Sequence, residues 1–380
     1  MAKKDSQKLK YSRLAEDLRG MILEGKIQAG EQLPSENVLS ARYQISRHTV
    51  RKALSILENE GYIYAEHGKG TFCSELVRHT KTSRNIAVVT TYLSDYIFPR
   101  VIQGIDGVMA ENGYTILLKN TRNSRKAEAR CLEELLQKDI EGLIIEPSKS
   151  EIFCKHVSLY ARLEQYGIPY VFIQGCFAQM KDKPQVKMDD CQGGYLLAKH
   201  LVSTGHKRIL GVFKADDMQG RQRHRGFVRA LQEAGMLYDP DDIIWFHTED
   251  RAVKPFAAMQ ELVRQGREFD AVVCYNDQIA IEVIKALEEC QVDVPGQVSV
   301  TGYDNSFIGE NSRIKLTTIA HPQEKLGELA AKLLLDLIQN PGGTPRESQI
   351  LIKPELIVRE SSQKREQSGQ AHIPSPFPRS

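Results

Sequence analysis

The stretch 34–72, PSENVLSARYQISRHTVRKALSILENEGYIYAEHGKGTF, leaves the chain few ways to fold. Ser35 is a good N-cap with Glu36 and Asn37 in the turn behind it, so a helix opens there. Val38, Leu39 and Ala41 supply its apolar contacts, and it stops near Tyr43. Ser46 caps a second helix, in which Val50, Ala53, Leu54 and Leu57 recur at helical spacing and face a core. Gly61 ends that helix. Tyr62, Ile63 and Tyr64 begin a strand that Gly68-Lys69-Gly70 turns back into Thr71 and Phe72. The spacing predicts helix, turn, helix and a glycine-tipped hairpin.

The outer face of the second helix carries Arg47, His48, Arg51 and Lys52. Arg47 and Arg51 are one turn apart, so both can enter one major groove. A guanidinium bonds guanine in bidentate fashion or clamps a phosphate. Thr49 can meet a phosphate or a thymine methyl. The hairpin glycines let backbone approach DNA closely. The competing reading is a solvated basic face on a small helical bundle, which the ordered run of cap, helix, turn, basic helix and hairpin disfavours. Charge placement agrees. Residues 1–84 hold 15 Lys and Arg against 10 Asp and Glu, a net of +5, whereas the remainder holds 36 against 39 and the whole chain is +2.

These residues carry a resemblance. Gly25-Lys26-Ile27, Gly30, Leu33-Pro34-Ser35-Glu36, Leu39, Ser46-Arg47, Thr49-Val50-Arg51, Ala53-Leu54, Leu57, Gly61 and the hairpin tip occur in the order of the GntR-family winged helix-turn-helix. The resemblance implies DNA contacts at Glu36, Arg42, Arg47, Thr49, Arg51, Gly68 and Gly70, with His48 and His67 beside them. Glu36 would accept from a cytosine amine; its alternative role is to stabilise its helix N-terminus.

A chain of 380 residues has room for two or three domains. Seven scattered cysteines without a CxxC pair suit free thiols in a reducing cytoplasm. No apolar run approaches the roughly 20 residues that span a bilayer, and the lysine-rich start lacks the apolar segment of a secretory signal. His200, His206 and His224 have no metal-ligand spacing. Residues 1–10 read as a flexible tail, 11–73 as the reader, opened by an amphipathic helix over 11–24, 74–85 as a linker, 86–361 as a second domain, and 362–380 as a disordered tail.

From residue 86 short apolar strands alternate with helices. Strands are predicted at 86–92, 115–120, 142–147, 170–175, 186–189, 208–213, 271–276 and 298–304, and helices at 127–137, 193–203, 220–234 and 278–289 among others. Alternation argues for doubly wound parallel sheets, and the strand number for two subdomains. Polar residues cluster after the strand ends, where open α/β sheets bind ligands. A paired-carboxylate hydrolase would use such acids too, but only their number supports it. Gly68-Lys69-Gly70 lacks the spacing of a phosphate loop.

The region 86–360 resembles the LacI/GalR family, through Phe98 and the FPRVIQGI run, Gly142-Leu143-Ile144-Ile145, Gly167-Ile168-Pro169, Gly205-His206-Lys207-Arg208-Ile209, Arg223 to Phe227, Asn276-Asp277, Gly302-Tyr303-Asp304 and Leu316-Thr317-Thr318-Ile319. The expected fold is thus α/β: an N-terminal winged helix-turn-helix followed by a two-subdomain, periplasmic-binding-protein-like domain. The resemblance implies sugar contacts at Asp95, Tyr96, Phe98, Glu146, Asp189, Arg223, Asn276, Asp277 and Asp304; Lys214 joins them by its rim position. Carboxylates and amides pair with neighbouring hydroxyls, and an aromatic ring covers a C–H face. Asp189, Asp277 and Asp304 have a competing role as caps, and Phe98 as core.

The GntR-type reader stands where LacI/GalR repressors have their own helix-turn-helix. With TTYLSDYIFP, FKADD and SRHTVRKA, the combination resembles a family of arabinose-responsive repressors of Gram-positive bacteria. It implies a homodimeric, cytoplasmic, non-enzymatic repressor with operator DNA and a small sugar, L-arabinose, as partners, and no metal, cofactor or membrane. Another pentose, a sugar phosphate, or a sensor acting through a protein partner are the alternatives.

Overall fold

The computed structural model describes residues 2–23, 26–59, 61–66, 68–74, 83–93, 97–340 and 347–365. The chain divides into two compact units. One takes the described residues of Met1–Asn85 with Leu132–Glu141 and Ser158–Pro169; the other takes those of Ile86–Cys131, Gly142–Val157 and Tyr170–Ser380.

The first unit holds α1 (Ala2–Leu23), α2 (Glu36–Tyr43), α3 (Arg47–Asn59), β1 (Ile63–Glu66) and β2 (Gly70–Cys73). Helix α1 begins at Ala2, where the sequence suggested a flexible tail: residues 2–10 contain neither glycine nor proline, so nothing local stops the helix. Leu14, Leu18 and Ile22 are buried, as are Leu39, Val50, Ala53 and Leu57, and α1 and α2 both pack on α3. Ser35 Oγ accepts from Val38 N at 3.4 Å, and Ser46 Oγ from Thr49 N at 3.2 Å, so both expected caps form. Strands β1 and β2 pair antiparallel, Ile63 opposite Cys73. The linker residues 75–82 lie outside the described residues.

In chain order there follow β3 (Asn85–Thr90), α4 (Phe98–Glu111), β4 (Thr115–Asn120), α5 (Arg125–Leu135), β5 (Gly142–Ile145), α6 (Val157–Gln165), β6 (Tyr170–Ile173) and β7 (Gln185–Met188), of which Asn85, the end of α5 from Leu132 and α6 from Ser158 count with the first unit and the rest with the second. There follow α7 (Asp190–Ser203), β8 (Ile209–Lys214), α8 (Met218–Glu233), β9 (Ile243–Phe246), α9 (Lys254–Arg264), β10 (Ala271–Cys274), α10 (Asp277–Glu289) and β11 (Ser299–Thr301). The last elements are α11 (Phe307–Glu310), β12 (Thr318–Ala320), α12 (Gln323–Gln339), β13 (Gln349–Ile352) and β14 (Glu355–Ile357). A six-stranded sheet runs β13-β7-β6-β5-β3-β4 and a four-stranded sheet β11-β10-β8-β9. The two-sheet architecture matches the sequence reading. Strands β9, β12, β13 and β14 escaped it, because each has three or four residues and β13 alternates exposed with half-buried positions.

The chain passes between the two sheets three times. It leaves the first after β7, returns through β12 and α12, and leaves again from β13 into β14, which pairs antiparallel with β12. Residues 359–365, partly assigned to a disordered tail, are instead ordered: Ser361 N donates to Lys315 O at 3.0 Å, Ser362 Oγ pairs with Thr317 Oγ1 at 2.7 Å, and Arg365 N donates to Thr204 O at 2.8 Å.

Each subdomain is closed by a helix pair that crosses on reciprocal glycines. In α4 and α12, a Cβ on Gly104 would fall 2.1 Å from Glu324 O, and one on Gly327 2.1 Å from Val101 O. In α7 and α8, a Cβ on Gly194 would fall 2.0 Å from Arg223 O, and one on Gly226 1.9 Å from Cys191 O. Backbones this close leave no side chain that can yield, so a methyl group must push the helices apart. Gly226→Ala should therefore lower stability by about 1–3 kcal/mol, read from the midpoint of urea unfolding, whereas Gly235→Ala, with open space around it, tests only the cost of its positive φ of +67°.

Candidate functional site

Two surfaces gather the residues that the sequence singled out. On the reader, Arg42, Arg47, His48, Arg51 and Lys52 are exposed. Arg51 is already engaged: its Nε donates to both oxygens of Glu36 at 2.9 Å, which raises its pKa further. Gly68 and Gly70 have φ of +76° and +125°, in the left-handed region. The tip is pinned by Gln32 Nε2, which donates to Lys69 O at 2.6 Å, and a Cβ at Gly70 would come within 2.5 Å of that nitrogen. His67 lies outside the described residues.

Thr49 departs from the expectation of a DNA contact. It is 4 % exposed, and its hydroxyl pairs with Ser46 Oγ at 2.8 Å. Residues 49, 53 and 57 fall at helical spacing, so Thr49 sits on the face that Ala53 and Leu57 bury. That spacing was visible in the sequence.

In the second unit, Phe98, Glu146, Lys214, Arg223, Asn276 and Asp304 line one cleft of about 800 Å³, its mouth included. The six-stranded side contributes Thr91, Tyr92, Phe98, Asn123, Glu146 and Gln174; the four-stranded side contributes Lys214, Asp217, Gln219, Arg223, Tyr275 and Asp304, with Phe246 at the end of β9. All but the α4 and α8 residues lie at or beyond carboxyl ends of parallel strands, where the fold leaves backbone to turn and side chains to converge. Asp95 and Tyr96 lie outside the described residues.

Arg223 is the best-fixed group in the cleft. It is 4 % exposed. Nε donates to Asp190 Oδ1 at 2.8 Å and Nη1 to Tyr275 O at 2.7 Å, while Nη2 is 3.5 Å from Asp304 Oδ1. The guanidinium lies 3.5 Å from the Tyr303 ring centre and 4.9 Å from that of Tyr275. Burial works against its charge, but Asp190 and Asp304 outweigh it and hold the pKa well above the usual arginine value. Burial pushes Asp190 up to about 6 despite the pull of Arg223, so the pair is charged at neutral pH. Lys214 repeats the logic: burial opposes its charge, while Asp217 at 2.9 Å and Asp216 at 3.6 Å raise its pKa.

Glu146 has no cation at hydrogen-bonding distance among the described residues. Its Oε2 accepts from Thr91 N at 2.9 Å and from the Thr91 hydroxyl, yet burial carries its pKa up to about 7. Further atoms lack a hydrogen-bond partner among the described residues: Gln174 Nε2, Gln219 Oε1 and Asp304 Oδ1, all buried. The other end of Gln174 is held by His321, 3.1 Å from Oε1. The wall thus presents a donor and two acceptors beside the faces of Tyr92, Phe98, Phe246 and Tyr275, an array that matches a small polyhydroxylated molecule with apolar faces. Of the non-glycine residues with left-handed backbone, Asn123 (φ 54°), Gln174 (66°) and Asp304 (94°) line the cleft, and Lys149 (52°) and Asn305 (47°) follow or adjoin its lining residues. Such conformations persist where surroundings over-determine them, typically at binding sites.

Two expected cleft residues serve structure instead. Asp189 caps α7, its Oδ1 accepting from Gln192 N at 2.9 Å, and it does not reach the cleft wall; the next residue, Asp190, takes Arg223. Asp277 is fully buried behind the wall, bonded to Ser306 N at 2.7 Å, to the Ser306 hydroxyl at 2.9 Å and to the Thr318 hydroxyl at 2.7 Å. Asn276 does both: it lines the cleft and caps α10, its Oδ1 accepting from Ile279 N at 3.0 Å.

The raised pKa of Glu146 has a signed consequence. Its folded value of about 7 lies above the ordinary 4.5, so folding favours the proton. The stability it contributes is full below pH 4.5 and is lost as pH rises through 7. Glu146→Gln should therefore gain on the parent protein between pH 5 and pH 8, seen as a widening gap in melting temperature without sugar. Parallel melting curves would remove Glu146 from that role.

Similarity to known proteins follows the same division. Residues 10–73 match the family model for bacterial regulatory proteins of the gntR family, and residues 198–362 that for the periplasmic binding protein-like domain. The arabinose metabolism transcriptional repressor of Halalkalibacterium halodurans is 38% identical over 93% of this chain and 96% of its own length. That of Geobacillus stearothermophilus is 38% identical over 93% and 97%. Among solved structures, the regulator CelR in complex with cellobiose aligns over 87% of this chain and 100% of its own, with a TM-score of 0.65 at 22% identity. A LacI family regulator from Enterococcus faecium with bound ribose aligns over 74% and 100%, with a TM-score of 0.63 at 26% identity. The chain is a sugar-responsive transcriptional repressor and not an enzyme, and it belongs to the arabinose-repressor family, in which a gntR-type reader precedes a LacI-type sensor.

Proposed function

We propose that this repressor binds operator DNA as a homodimer and is released when L-arabinose occupies the cleft. The observation that carries the neutral-sugar reading is the charge arrangement. Lys214 faces Asp216 and Asp217, Arg223 faces Asp190 and Asp304, and the third cation of the wall, Arg251, lies 4.4 Å from the ring centre of Tyr92, so the two buried cations are matched within the protein. A phosphorylated sugar would have to displace those partners. A neutral pentose needs only the hydrogen-bonding atoms of Gln174, Gln219, Glu146 and Asp304, with Phe98, Tyr92 and Tyr275 against its C–H faces. The relatives named for arabinose metabolism favour L-arabinose, and the ribose held by the E. faecium regulator makes D-ribose the rival.

The sugar touches both subdomains and therefore binds the closed cleft better than the open one. Closure turns the halves about the three crossing segments and changes the surface on which the dimer rests. The two readers, placed on a palindromic operator by that dimer, then lose their register. Arg47 and Arg51 read the major groove, Arg42 and His48 lie beside them, and Gly68 and Gly70 bring the hairpin backbone to the DNA. A DNA partner puts this work in the cytoplasm. Linkage requires operator to weaken sugar binding by the factor with which sugar weakens operator binding.

Calorimetric titration of the full-length protein with L-arabinose, D-ribose, D-xylose and D-galactose tests the effector. Saturable heat with L-arabinose is expected; heat with D-ribose alone would transfer the assignment. Asp304→Asn should cost more than about tenfold in L-arabinose affinity, the scale of a hydrogen bond to a charged group, and leave operator affinity intact. Arg51→Ala should abolish specific operator binding in a gel-shift titration, with L-arabinose affinity unchanged.

A further inference from the structure

Beside the effector wall, and sharing Asn123 with it, the two sheets meet at a second, polar junction on the rim of the cleft. From the six-stranded side come Asn123, beyond β4, and Lys149, beyond β5. Both are in left-handed backbone, and Asn123 Oδ1 accepts from Lys149 N at 2.7 Å. From the four-stranded side come Asp216, beyond β8, and Thr248 and Glu249, beyond β9. Asn123 Nδ2 donates to Thr248 Oγ1 at 2.7 Å, and Thr248 donates to Asp216 Oδ2 from its hydroxyl at 2.8 Å and from its backbone N at 3.1 Å. Lys149 Nζ reaches the same oxygen at 3.5 Å and is bonded to Glu249. Asp216 Oδ1 lies 3.6 Å from Lys214, which lines the cleft. One carboxylate, 1 % exposed, thus faces a rim lysine, a rim hydroxyl and a cleft lysine together.

We propose that Thr248 and Lys149 are positioning residues that latch the closed sensor through Asp216. They raise effector affinity without touching the effector. Neither lines the cleft wall, so the sugar gains from them only through the state they hold. The latch joins strand-end loops of both sheets and exists only when those ends are together, as an element biasing a two-state equilibrium must. Its protonic chain is directional: the amide of Asn123 donates to the hydroxyl, and the hydroxyl donates to the carboxylate. Removing the hydroxyl therefore cuts the link from Asn123, the one that joins the two sheets, while Thr248 N still donates to Asp216 Oδ2 at 3.1 Å. The left-handed backbone at Asn123, beyond β4, and at Lys149, beyond β5, places one strained residue in each of the two loops that the junction joins to the other sheet.

The inference rests on the sugar-sensor reading, and its test separates the two. Thr248→Val keeps the shape and removes the hydroxyl; Thr248→Ser restores the hydroxyl. With L-arabinose as the probe, Thr248→Val should bind about tenfold more weakly, through faster dissociation at unchanged association rate. Thr248→Ser should return to the parent value. Operator affinity without sugar should be no lower in Thr248→Val than in the parent, because the open state is the one that holds the operator. Equal L-arabinose affinity in Thr248→Val and the parent would overturn the latch. If the parent itself binds no sugar tested, the effector assignment fails, and small-angle scattering of the sugar-free proteins decides the latch. A larger radius of gyration for Thr248→Val supports it, and identical curves overturn it.

Discussion

The sensor depends on one buried cation. A guanidinium removed from water is tolerable only if its charge and its donors are met, and Arg223 has them met from four directions: Asp190 at the start of α7, Tyr275 O beyond β10, Asp304 beyond β11, and the face of Tyr303. Asp304 and Tyr303 share the segment beyond β11, and the other partners come from α7 and the end of β10, so the guanidinium on α8 ties together the ends of two strands and two helices. Its own position is fixed in turn by the crossing of α7 and α8, where Gly194 lets the backbone of Arg223 approach. Glycine here acts on ligand geometry at one remove. It sets how near two helices come, and the distance sets where an ion pair can form.

The reader was legible because its signals are local. Caps, a helical stripe and a glycine-tipped hairpin act over a few residues, and the structure places Ser35, Ser46, Gly61 and Gly68 as those rules demand. The alternation of strands and helices was equally plain, and it located the cleft at strand ends. The acids at those ends could not be told apart from sequence. Asp189 and Asp190 are adjacent and alike; which one caps and which one pairs depends on where Arg223 arrives, 33 residues later. Asp277 looks like a ligand and is spent on Ser306 and Thr318, whose proximity only the fold creates. The short strands β9 and β13 are edge strands, and β13 pairs with β7, which is distant in sequence. Without β9 the contribution of Phe246 to the cleft could not be foreseen. Thr49 is different: its helical phase with Ala53 and Leu57 was readable, and the assignment to DNA overrode it.

The cleft stores cost of several kinds in one place: left-handed backbone at non-glycine residues, a carboxyl held near neutrality, and buried amide and carboxylate atoms awaiting partners. A fold selected only for stability would have removed each. Their concentration at the meeting of two sheets, beside three chain crossings, is what a sensor requires. The region must gain more from closing on a hydroxylated ligand than the rest of the molecule does, and the unmet groups supply that difference.

The contact between Glu36 and Arg51 carries a consequence of another kind. The helix that carries Arg51 keeps an internal competitor for that arginine, one N–H shared between both oxygens of Glu36, on the surface proposed to meet nucleic acid. Any DNA that takes Arg51 must also find a place for the released carboxylate. A phosphate offers none and repels it, whereas a cytosine amine in the groove can accept the exchange. If Arg51 reads the groove as proposed, random sequence is taxed and a site that offers such an amine is not. An exposed salt bridge that hardly matters to the stability of the fold would then act on the choice of sequence.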